Sequence, residues 1–310
     1  MWQGIAYGLA AGALWGFIFL APQLLSAFSA LELSAARYLL YGAISLCLLV
    51  PLWPRLRHKV TRADWIALFW LSLAGNTIYY LFVAGAVQWA GIAPASLIVG
   101  VLPVTVTLIG SRDHGAVPLR KLAWPLLLVG LGILSVNLDV FMHAGSNAHG
   151  WGIRLLGIVC AVGALTCWTV YAVGNARYLA RNGHFSSHEW SVLTGVVTGL
   201  QALLLAVPAF LPPLMGFGPA AGGDWRLFWL VCMAVAVGAS TIGNAFWHAA
   251  SRRLPLTLSG QMIVFETFFA LCYGFLFEAR WPRGLELVAI VSLLAGVSWS
   301  VRLHAPARKA

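Results

Sequence analysis

Apolar segments about as long as a bilayer is thick follow one another along this chain, and that alternation restricts its fold more than any motif does. Hydropathy and breaker residues place them at about 3–23, 31–51, 63–88, 94–111, 121–140, 151–176, 188–208, 225–250, 256–277 and 284–302. A membrane helix needs ~20 apolar residues, so each segment is a candidate crossing. With 61% hydrophobic and 9% charged residues over 310 positions, no water-soluble packing could hide this much apolar surface. The solvent is lipid, and the expected fold is an all-α integral membrane protein. Met1-Trp2-Gln3 lacks the basic start of a signal peptide, so the first segment reads as a retained helix.

The net charge of +10 invites a nucleic-acid reading until the basic residues are placed. Starting with the amino terminus in the cytoplasm, the inner loops and tail collect Arg55, Arg57, Lys59, Arg62, Arg112, Arg120, Lys121, Arg177, Arg181, Arg252, Arg253, Arg302, Arg308 and Lys309. The outer side receives Arg37, Arg154, Arg226, Arg280 and Arg283. The positive-inside rule thus supports ten crossings with both termini cytoplasmic, and nucleic acid is not an expected partner. The five cysteines all fall inside apolar segments, where they read as small packing residues rather than disulfides or a metal set.

An odd number of crossings per half means that, if the halves are copies, the second is inserted upside down relative to the first. Three recurrences favour copies: Gly12-Ala13-Leu14-Trp15 with the Gly163–Trp168 run, Glu32 with Glu189 near the start of helices two and seven, and Gly75-Asn76 with Gly243-Asn244. The expected units are residues 1–145 and 146–310, arranged as two inverted five-helix repeats around a central cavity.

Such a pair holds substrate near the bilayer midplane between the copies, which selects cavity candidates by depth. They are Trp15, Asn76, Tyr79, Tyr80, Ser96, Pro103, Trp168, Tyr171, Asn244, Trp247, His248, Gln261 and Glu266. Aromatic faces suit an apolar side chain, and amide, hydroxyl and phenol groups suit an amino acid's charged ends. Each has a plainer role as well. A membrane Trp can simply pack, Asn76 and Asn244 can bond helix to helix, and His248 can be a satisfied structural histidine. Glu266, acidic and deep in a helix, is functional by default or else a buried carboxyl that holds helices together. Arg37 is expected near the outer surface, paired locally with Glu32 or Asp139 or attracting a carboxylate. Tyr79 and Tyr80 point to different faces, so at most one should see the cavity at a time. Pro103 marks an expected bend in helix four, while Gly75, Gly243 and Gly260 offer flexibility.

Taken in order, Ala13-Leu14-Trp15-Gly16, Arg37, the Ala93–Pro103 stretch with Leu102-Pro103-Val104, Ala164–Tyr171 and Glu278 resemble the drug/metabolite transporter superfamily. The similarity is to its ten-helix proteins built from two EamA-type units and covers roughly residues 4–302. Glu266-Thr267 stands where many relatives have Glu-Pro, so a proline hinge in helix nine is not expected. Within the superfamily the Trp-rich chain looks most like the bacterial aromatic amino acid exporters. That resemblance implies a secondary carrier in the bacterial inner membrane that exports aromatic and other neutral amino acids by alternating access.

An exporter of cationic drugs or other small metabolites is the alternative; it lacks an acidic group early in helix one, though Glu266 could substitute. A carrier of phosphorylated sugars would need midplane cations, whereas Lys59, Lys121 and Lys309 lie at the boundary. An intramembrane enzyme is disfavoured, since the sequence has no His-Glu-x-x-His, no Gly-x-Ser-x-Gly and no clustered His or Asp set. The expected partners are small-molecule substrate and membrane lipid. Neither a cofactor nor a metal is expected, and the chain is read as a monomer.

Overall fold

The computed structural model describes residues 1–25, 27–90, 95, 98–113, 116–143, 151–211, 222–277 and 279–304. Each expected segment is helical there, and no strand occurs among the described residues. Helix α1 is Trp2–Gly16, continued by a 3₁₀ turn Phe17–Phe19 and a single turn Ala21–Leu24. Helix α2 is Ala30–Leu56, and α3 is a rod of Arg62–Ser72, Leu73–Thr77 and Ile78–Ala90. Then come α4 (Leu102–Gly110), α5 (Leu119–His143), α6 (Trp151–Arg181) and α7 (Ser187–Phe210). Helix α8 joins Trp225–Val235, Ala236–Gly243 and Asn244–Ser251, α9 joins Leu256–Met262 and Val264–Phe277, and α10 is Gly284–His304. All but α1 and the described part of α4 are long and apolar enough to cross a membrane.

Local chemistry sets several of these starts. Ser29 and Glu32 form a reciprocal capping box at α2, with Ser29 N–H donating to Glu32 Oε2 at 2.7 Å and Glu32 N–H to Ser29 Oγ at 3.2 Å. Ser186 and Glu189 repeat the device at α7. Thr61 and Asp64 cap α3, and the Asp224 carboxylate accepts from two backbone amides at the start of α8. Superposing the α2 and α7 boxes makes Arg37 equivalent to Thr194, Tyr41 to Thr198 and Gly42 to Gly199.

The packing follows that equivalence. The principal helix pairs are α2 with α7, α5 with α10, α4 with α9, α3 with α6, and α1 with α8 and α9. Exchanging the halves maps the first three pairs onto themselves and α3·α6 onto α8·α1, the signature of a pseudo-twofold axis between inverted repeats. At the α2·α7 crossing a Cβ on Gly42 would stand 2.4 Å from the Gly199 Cα, and the reverse holds equally. Only glycine lets the two backbones meet there. Gly4, Gly8, Gly12 and Gly16 form a stripe that admits Leu254, Met262, Phe265 and Phe269, so α1 lies directly on the chain from the end of α8 through α9. The expected boundary near 145 falls within 144–150, outside the described residues.

Two expectations about bends change. Pro103 lies in the first turn of α4, where its missing N–H costs no helical bond, so it starts the helix instead of bending it. The break in α9 falls at Ile263, while Gly260 brings α9 against Val106 and Thr107 of α4. Leu73–Thr77 in α3 and Ala236–Gly243 in α8 are π-helical, so Gly75 and Gly243 sit in or at the end of widened turns.

Candidate functional site

The widened turns of α3 and α8 each receive an aromatic side chain from the leading helix of the other half. Gly75 faces the Tyr171 ring of α6 at 2.4 Å from its virtual Cβ, and Gly243 faces the Trp15 indole of α1 at 3.0 Å. A π turn leaves carbonyls out of the regular ladder, and Trp15 Nε1 donates to one of them, Ala239 O, at 3.1 Å in a buried setting.

Trp15, Trp168 of α6 and Trp247 of α8 then close into a buried triad. Their ring centroids are 6.3 Å apart for 15–168, 5.4 Å for 15–247 and 5.8 Å for 168–247. All three separations lie within the range of favourable aromatic pairs. Tyr171 adds a ring at 5.7 Å from Trp168, and its hydroxyl stands 3.3 Å from His248 Nε2. The sequence places these five residues far apart, and the fold brings them into one aromatic plug where the halves meet.

Helix α8 orders what lies on either side of that plug. Cys232 and Val235 line a chamber of about 80 Å³ together with Ile18, Ala21, Leu33, Ser34, Arg37 and Tyr80. Ser240 and Ala239 come next, then Trp247, and Ser251 lines a second cavity of about 200 Å³ bounded by Asp113, Arg177 and Pro255. An Arg177–Asp113 ion pair of 2.6 Å spans this second cavity, which lies at the end of the bundle where α1 begins and α10 ends. The chamber is well below the ~300 Å³ of an ordinary ligand pocket.

Several buried polar atoms have no partner among the described residues: Trp247 Nε1, His248 Nδ1, Ser251 Oγ and both amide ends of Gln261. Leaving such a group unpaired costs about 1–3 kcal/mol, and each is hydrogen-bonding capacity that the described residues do not use.

The two asparagines hold helices together. Asn76 Nδ2 donates to Thr198 Oγ1 at 3.1 Å, and Asn244 Nδ2 to Tyr41 Oη at 3.5 Å. Tyr41 and Thr198 are the equivalent positions of α2 and α7, so this is one pseudo-symmetric bond made twice. Of the neighbouring tyrosines, Tyr80 lines the chamber while Tyr79 packs edge-on against it at 5.8 Å. Pro103 is buried, and its carbonyl accepts from Thr107 Oγ1 at 2.7 Å. Glu266 is half-buried on α9. Ser96, Pro94 and Glu278 lie outside the described residues.

Arg37 departs furthest from expectation. It is 8% exposed, and neither proposed local partner holds it. Glu32 belongs to the Ser29 capping box, and Asp139 is paired with Arg283 at 3.0 Å. The Arg37 side chain instead points inward, since Nε donates to Ser240 Oγ of α8 at 2.8 Å and Nη1 donates to the Tyr80 hydroxyl of α3. Its guanidinium also lies over the Tyr38 and Tyr80 rings at 5.1 and 5.2 Å. Its place near the start of the second apolar segment points to the outer surface, and no sequence signal marks its inward direction.

Comparison with known proteins agrees with this architecture. Residues 2–138 match the model of the EamA-like transporter family. The inner membrane protein YtfF of Escherichia coli K12 is 34% identical over 316 residues, covering 97% of this chain and 96% of its own. The threonine/homoserine exporter RhtA of Salmonella typhimurium is 26% identical over 245 residues, covering 78% and 72%. A solved crystal structure with 20% sequence identity superposes with a TM-score of 0.69 over 97% of this chain and 98% of its own, which shows the shared fold.

Proposed function

Because the chain belongs to the EamA-like transporter family, we propose that it exports amino acids by alternating access, aromatic and other neutral ones favoured. The observation that carries this reading is the aromatic plug of Trp15, Trp168 and Trp247 between a chamber on one side and a hydrogen-bonding cavity on the other. Rocking the halves about the Gly42–Gly199 crossing would part the plug and open one cavity to the other. A substrate with an apolar side chain can replace the ring contacts, and on entry from the second cavity its polar end can use the unpaired groups on Trp247, His248, Ser251 and Gln261 before it reaches the chamber. Similarity to a threonine/homoserine exporter supports an amino acid as cargo and extends the substrate panel to small polar ones.

Similarity to an inner membrane protein supports the same location here, and the basic loops favour a cytoplasmic terminal end. The second cavity then faces the cell interior and the Arg37 chamber faces outward. The role is transport and not catalysis, with no cofactor and a monomer as the working unit.

Reconstituted protein should show counterflow of labelled Phe, Trp, Thr or homoserine, measured with and without a pH gradient to expose proton coupling. Absence of flux for all four in a preparation shown to be folded would overturn the proposal.

A further inference from the structure

A guanidinium placed inside a membrane protein is expensive unless something neutralises it. Arg37 has acceptors but no counter-ion in contact. Ser240 and Tyr80 take two of its five N–H donors, and both are neutral hydroxyls. Among the described residues no carboxylate lies within 4 Å of it, while Nη2 carries no hydrogen bond and keeps access to the chamber. The stacking on Tyr38 and Tyr80 holds the fork in a fixed plane, and a fixed fork matches a carboxylate with two parallel bonds.

We propose that Arg37 is the charged contact for the carboxylate of an α-amino acid. The side chain then lies toward the Trp15–Trp168–Trp247 plug, and Tyr80 orients the guanidinium that receives the substrate. This deepens the amino-acid export reading and rests on it: a substrate carboxylate supplies the counter-charge that the guanidinium lacks, and an amine does not.

The test is a competition series on counterflow of labelled Phe, using phenethylamine, which lacks the carboxylate, and 3-phenylpropionate, which lacks the ammonium. Phenethylamine should compete about 10²-fold more weakly than unlabelled Phe, because a site built to bond a polar group rejects the analogue missing it, and 3-phenylpropionate, which keeps the carboxylate, should compete better than phenethylamine. Arg37→Gln should lose Phe flux and should erase the preference for Phe over phenethylamine. Arg37→Lys, which keeps the charge and loses the fork, should fall between.

Trp fluorescence titrations on monodisperse protein provide a second readout for variants that bind without transporting. Equal competition by Phe and phenethylamine on the unmodified protein would overturn the assignment without any variant. So would an Arg37→Gln protein with unchanged selectivity. Absence of all amino acid flux sinks the export reading itself, whereas flux blind to the substrate carboxylate sinks only this assignment.

Discussion

Substituting Gly42 by alanine isolates the closest crossing of α2 and α7. An ideal Cβ there stands 2.4 Å from the Gly199 Cα, whereas carbon atoms in contact settle at about 3.5–4.0 Å. Helices α2 and α7 must therefore separate by roughly 1 Å at the crossing, because the obstructing atom is backbone and cannot rotate aside. Overpacking of this kind costs about 1–3 kcal/mol, and a backbone obstacle puts it at the upper end. Alanine recovers about 1 kcal/mol of helix propensity over glycine, which leaves a net loss of about 1–2 kcal/mol. At ~2–4 °C per kcal/mol, the unfolding midpoint in detergent should drop by several degrees.

Gly130→Ala supplies the control. It lies on α5, where no described heavy atom falls within 4 Å of its Cβ, so the same substitution should leave the midpoint unchanged or raise it. Gly42→Ala combined with Gly199→Ala should cost less than the sum of the singles, since one separation of the helices accommodates both methyl groups. Thermal unfolding read by size-exclusion of the surviving monodisperse fraction measures all four proteins. A Gly42→Ala midpoint at or above that of the parent would refute the close-crossing account.

Trp15→Phe removes the donor to Ala239 O and leaves that buried carbonyl unmet, an expected loss of about 1–3 kcal/mol in the same assay. Trp15→Ala and Trp168→Ala should each impair counterflow while leaving membrane insertion intact; normal flux in both would reduce the plug to packing. Asn76→Ala should cost about 1–2 kcal/mol and Asn244→Ala less, since the bond is 3.1 Å in the first case and 3.5 Å in the second. A double-mutant cycle of Asn76→Ala with Thr198→Val should show coupling that Asn76→Ala with Tyr41→Phe lacks. A carboxy-terminal reporter that is active only in the cytoplasm should be active, and periplasmic activity would reverse the orientation proposed for both cavities.

Much of the bundle was legible in the sequence because lipid makes hydropathy nearly decisive, and every apolar segment with described residues is helical. The inverted repeat was visible in part. Glu32 and Glu189 recur, and the structure shows why, since each closes a capping box with the serine three residues before it. The Gly-Asn pairs stood at different distances from the starts of their helices. A π segment occupies five residues in α3 and eight in α8, a difference that hydropathy cannot register.

The candidate residues sorted by role only in three dimensions. Trp15, Trp168, Tyr171, Trp247 and His248 converged, while the asparagines turned to neighbouring helices. Arg37 was read as a surface residue because it follows the start of α2 closely. A position seven residues into a helix lies about 10 Å below its end, enough to reach the interior when the side chain faces the partner half.

The widened turns have a mechanical consequence of their own. A π segment holds surplus residues that an α-helix does not need, and that surplus can migrate along the rod like a wrinkle in a carpet. Moving it past one residue turns that residue by roughly 100° about the helix axis, while the segments on either side keep their register. In α3 the first rings in its path are Tyr79 and Tyr80, and in α8 they are Phe246 and Trp247. A wrinkle that travelled that far would re-aim a ring at the interior while leaving both ends of its helix in place.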